Sequence, residues 1–94
     1  MGGWDEGMRG SELYRRYLDK IGAIAAAGTT APGWERRVEQ AVKQFHLETM
    51  AMARTPFRSL RDDMAADLEN RARSHSVASA REVFSLAARL VRSL

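Results

Sequence analysis

The chain reads as an all-α protein, a compact bundle of four helices with short connections. Three observations predict that class. Apolar residues recur at helical spacing over four stretches, no stretch alternates apolar and polar residues as a half-buried strand would, and "GTTAPG", Thr55-Pro56 and "ARSHSVAS" fall between the stretches. With 94 residues, 45% of them hydrophobic and 29% charged, the composition suits one soluble domain around one core.

Residues 1–10 hold four Gly and no apolar period, so they read as a flexible leader to a single helical domain over 11–94. Trp4 is the exception there, and its large apolar area favours folding back onto the domain. The first helix is expected from Ser11, a plausible N-cap, to about Ala27, with Tyr14, Tyr17, Leu18, Ile21, Ile24 and Ala25 on one face. Gly28 is placed to end it in the left-handed conformation. The second helix is expected from Pro32–Trp34 to about Ala53, burying Trp34, Val38, Ala41, Val42, Phe45, Thr49 and Met52. Pro56 lacks an amide proton and disfavours helical geometry at Thr55, so a break is expected there, with Thr55 capping a third helix. That helix carries Phe57, Leu60, Met64, Leu68 and Ala72 inward. Ser79 and Glu82 fit a capping box at the start of a fourth helix, which runs from Ala80 to the C-terminus.

Several function classes find no support in the residues. There is no Cys, which excludes disulfides, thiolate zinc sites and Cys nucleophiles and suits a reducing, cytoplasmic compartment. The N-terminus lacks the basic-then-apolar order of a signal peptide, and "IGAIAAAG" is far short of the roughly 20 residues a membrane span needs. Glu6 stands where a myristoylation start wants a small hydroxyl residue. No membrane association is therefore expected.

Candidate catalytic and metal-binding groups are sparse. His46 has no His, Cys or carboxylate at the i,i+3 or i,i+4 spacing of a ligand pair, and His75 sits in a turn. Asp62 and Asp63 are adjacent and so diverge on a helix, unlike the facing carboxylates of acid–base catalysis. No Gly-rich phosphate loop or nucleophile elbow occurs. The chain is expected to be non-enzymatic, with no catalytic, cofactor or metal residues. Met50, Met52 and Met64 with Phe45 and Phe57 would make an adaptable apolar surface if exposed, although core filling is the simpler expectation.

Charge offers one alternative. The net charge is +3, thirteen of the fifteen basic residues are Arg, and the whole excess lies after residue 53. Arg54, Arg58 and Arg61 resemble a phosphate-gripping stripe, but the Pro56 break divides them and Asp62 and Asp63 neutralise their neighbourhood. Six opposite-charge i,i+4 pairs, Glu12–Arg16, Arg15–Asp19, Glu39–Lys43, Arg58–Asp62, Asp67–Arg71 and Glu69–Arg73, suggest solvated, pair-stabilised helix faces. The less neutralised cluster is Arg81, Arg89 and Arg92, the candidate nucleic-acid contact. A helix-turn-helix formed by the last two helices would lack the Gly of its turn and the polar face of a recognition helix.

The fourth helix is the most apolar. Val83, Ala87, Leu90 and Leu94 form one stripe and Phe84, Ala88 and Val91 a second, together wider than the roughly 100° arc a surface helix uses. Such a helix is either central to its own bundle or packs one stripe against a partner. Four helices hold little material to encircle one of their number. The expected function is thus a small protein-interaction module, a regulator, inhibitor or accessory subunit, dimerising with itself or binding another protein through Phe84, Leu90, Val91 and Leu94. Nucleic-acid binding through the C-terminal arginines is the alternative.

Overall fold

The computed structural model describes the backbone of residues 2–51 and 57–94 and the side chains of residues 12–51 and 58–94. Four helices follow one another: α1 (Gly2–Ala27), α2 (Trp34–Ala51), α3 (Phe57–Ser74) and α4 (Ala78–Arg92). The Thr55-Pro56 break, Arg54 and Met52 lie outside the described residues, as do the side chains of Trp4 and Phe57.

One hydrophobic core joins all four helices, and its members follow from helical periodicity. Leu13, Tyr17, Leu18, Ile21 and Ala25 come from α1, and Val38, Ala41, Val42 and Phe45 from α2. Met64, Ala65 and Leu68 come from α3, and Ala80, Val83, Phe84, Ala87, Ala88 and Val91 from α4. Thr49, the one buried polar residue among those described, turns its hydroxyl back to donate to the Phe45 carbonyl at 2.6 Å. This satisfies the hydroxyl within its own helix.

The ends of the helices only partly match the sequence reading. Gly28 does close α1, with φ of 81° and its N–H donating to the Ile24 and Ala25 carbonyls. Gly33, at φ of 78°, plays the second left-handed role immediately before α2. Ser11, expected as an N-cap, lies inside α1, whose helical path begins at Gly2. The capping box at Ser79 is also corrected: α4 begins at Ala78, its N-cap is Val77, and no side chain caps it. Instead the turn is held by His75, whose Nδ1 accepts the Val77 N–H at 3.1 Å, while its ring lies 5.9 Å from that of Phe84.

The position of α4 resolves the question its broad apolar face raised. It contacts α1, α2 and α3 and buries Val83, Phe84, Ala87, Ala88 and Val91, while Arg81, Glu82, Ser85, Arg89 and Arg92 stay exposed. Its width is used within the chain. Both apolar stripes thus find places in the core without the helix being encircled, and small side chains assist. Ala80, Ala87 and Ala88 are buried on α4 and allow close approach from several sides.

Candidate functional site

Of the four residues expected to meet a partner, Phe84 is 4% exposed and Val91 1%, both inside the chain's own core. Leu90 and Leu94 are partly buried and packed against that core. The expectation of a partner interface centred on all four is corrected in this respect: no partner can reach Phe84 or Val91 without opening the fold.

Among the described residues three large apolar side chains are more than half exposed: Val77, alone at the start of α4, and two on α2. Leu47 is 61% exposed and Met50 60%, and they stand three residues apart on α2. Helical geometry puts them side by side, on the side away from the Val38, Val42, Phe45 and Thr49 stripe. Lys43 and Glu39, both exposed, continue this side at successive turns and carry opposite charges. Of the other residues of the suggested Met–Phe surface, Phe45 and Met64 are buried. The signal for Leu47 was present in the sequence as an apolar residue out of phase with its own helix.

Near this face, α1 and α2 are linked along their polar edge. Lys20 donates to Gln44 at 3.3 Å and stands 5.2 Å from the centre of the Tyr17 ring, and Arg16 lies 3.7 Å from Glu48. Burial, aided by a hydrogen bond to Glu48, pushes the Tyr17 hydroxyl above its usual pKa. A second tyrosine ties α1 to α3. The Tyr14 hydroxyl is 3.1 Å from both the Asp63 carbonyl and Asp67 Oδ2, and its pKa is pushed up to about 12 by burial and then by the Asp67 bond.

Of the three candidate arginines, Arg89 and Arg92 line one cleft and Arg81 lies apart. Arg81 donates to the His75 carbonyl at 3.1 Å and so belongs to the α3–α4 turn. Arg92 forms a fork on Glu69, Nε to Oε2 at 2.6 Å and Nη2 to Oε1 at 2.8 Å. This pair holds the Glu69 carboxyl below the usual carboxylate range and pushes the guanidinium up. Arg89 lines an open cleft of about 420 Å³ between α3 and α4, together with Glu69, Ala72, Arg73, Ser85, Ala88 and Arg92. The expected i,i+4 pairing is corrected as well. Among the described residues only Arg71–Asp67 forms at that spacing, and the other ion pairs are Arg16–Glu48, Arg61–Asp62 and Arg92–Glu69. Two of these cross between helices, where tertiary packing brings the charges closer than their own helix does.

Among the described residues no group of three or more His, Cys, Asp or Glu could hold a metal ion, and no helix is long and apolar enough to cross a membrane. Comparison with protein-family models, with curated proteins and with solved structures finds no match.

Proposed function

We propose that the protein is a small, non-enzymatic interaction module of the cytoplasm, a regulator or accessory subunit, that associates with a second copy of itself through the outer face of α2. The observation that carries this reading is the pair Leu47 and Met50, both more than half exposed and adjacent on one helix. Large apolar side chains grouped in water favour burial against a partner. Charge favours a second copy as that partner. Residues 1–53 are electrically neutral whereas the rest carry the whole +3, so a symmetric contact made by α2 avoids opposing two basic surfaces. Glu39 and Lys43 supply both signs for pairing across it. The apolar centre is small, so the association is weak and concentration-dependent.

Sedimentation equilibrium from low to high micromolar concentration tests this. The mass is expected to rise from 10.5 kDa toward twice that value in the wild type and to stay at 10.5 kDa in Leu47→Glu/Met50→Glu. Both side chains are exposed, so the double variant is expected to keep the wild-type helical content. A wild type that remains monomeric throughout contradicts self-association.

A further inference from the structure

The cleft between α3 and α4 carries charge that its own residues leave unbalanced. One carboxylate, Glu69, faces three guanidinium groups, those of Arg73, Arg89 and Arg92, and Glu69 is committed to Arg92 through two short hydrogen bonds. Among the described residues neither Arg73 nor Arg89 has an ion-pair partner within 4.0 Å. The two come from facing helices, and the Ser85 hydroxyl lies in the same lining as a further donor. Ala72 and Ala88 supply the apolar surface, short enough to leave the space open.

We propose that this cleft binds an acidic segment of a partner protein, seating one Glu or Asp side chain on Arg73 and Arg89 beside Ser85. The chain already displays the required chemistry: Glu69 on Arg92 is a carboxylate held by a cleft guanidinium in fork geometry. Methylene groups of the incoming side chain lie on Ala72 and Ala88. A nucleic-acid backbone is served less well, because it needs successive cations along a track. Here Arg81 is turned to the His75 carbonyl, Arg92 is already neutralised, and Glu69 repels phosphate. The site is separate from the α2 face and does not require the chain to self-associate.

Fluorescence anisotropy with a labelled hexaglutamate peptide at low salt tests the assignment, with the protein carrying Leu47→Glu/Met50→Glu so that self-association plays no part. Saturable binding is expected, weakened roughly ten-fold by Arg89→Gln and by Arg73→Gln, in line with the loss of one charge-assisted hydrogen bond each. Glu69→Gln releases Arg92 and is expected to tighten binding, whereas Glu39→Gln on α2, an equal change in net charge, is not. Absence of binding overturns the proposal, as does equal tightening by Glu69→Gln and Glu39→Gln, which would mark a diffuse charge effect. A duplex oligonucleotide that binds more tightly than the peptide, is lost steeply between about 50 and 200 mM salt and depends on the same arginines also overturns it, in favour of nucleic acid.

Discussion

Gly28 and Gly33 separate two contributions that a glycine can make. Both have positive φ, at 81° and 78°, where a side chain strains the backbone by roughly 1–2 kcal/mol. A Cβ at Gly28 would also lie 3.2 Å from Ser79 Oγ, whereas one at Gly33 would meet open space. Gly28→Ala is therefore expected to lower stability more than Gly33→Ala, as read from urea denaturation midpoints, and equal losses would contradict a tight approach of α4 to the α1 terminus. Tyr14 adds a pH dependence. Its neutral form is favoured by folding, since its pKa is about 12 in the folded chain against an ordinary 10.0. The stability it contributes is complete below pH 10 and is lost as pH rises through about 12. Tyr14→Phe is expected to remove about 0.5–1.5 kcal/mol at neutral pH and to flatten the alkaline decline, leaving the part due to Tyr17. Glu69 acts in the opposite direction: its lowered pKa stabilises the fold above the ordinary carboxylate range, and that contribution fades as pH falls.

The helices were legible in the sequence because burial enforces their period. Val38, Val42, Phe45 and Thr49 on α2, and Met64 and Leu68 on α3, are all buried as their spacing implies. Helix ends were less legible. The hydroxyl of Ser79 suggested a cap, but α4 starts at Ala78, so Ser79 falls inside its first turn. Gly2, Gly3, Gly7 and Gly10 suggested a leader, and they lie in the first turns of the helical path of α1. Each Gly is about 1 kcal/mol less favourable than Ala in a helix, and the buried residues described on α1 start at Leu13. Amide hydrogen exchange is accordingly expected to be fast over residues 2–10 and slow from Leu13 onward; uniform protection along α1 would contradict a first segment of low intrinsic stability. On α3, Leu68 is fully buried and Leu68→Ala is expected to lower stability by about 2–5 kcal/mol in thermal or urea melts.

For the whole molecule, amphipathic width has two meanings, and half of the candidate interface, Phe84 and Val91, lies in the chain's own core. A helix apolar around most of its circumference belongs either at an interface or at the centre, and periodicity alone does not distinguish them. On α4 both stripes supply buried residues, Val83 and Ala87 from one and Phe84, Ala88 and Val91 from the other, while Arg81, Glu82, Ser85, Arg89 and Arg92 face outward. Within the arginine cluster, Arg89 and Arg92 share a cleft, and Arg92 pairs with Glu69, which is 23 residues away in sequence and invisible to an i,i+4 search. Among the described residues the two most exposed large apolar side chains are Leu47 and Met50, neighbours on α2. The central claim is the proposal that this face, not α4, makes the contact between copies. A dilution series of amide NMR spectra tests it most directly. Concentration-dependent shifts are expected to concentrate on Glu39, Lys43, Leu47 and Met50, with Leu90 and Leu94 unchanged. Shifts concentrated on Leu90 and Leu94, or none on α2 at high micromolar concentration, would contradict it.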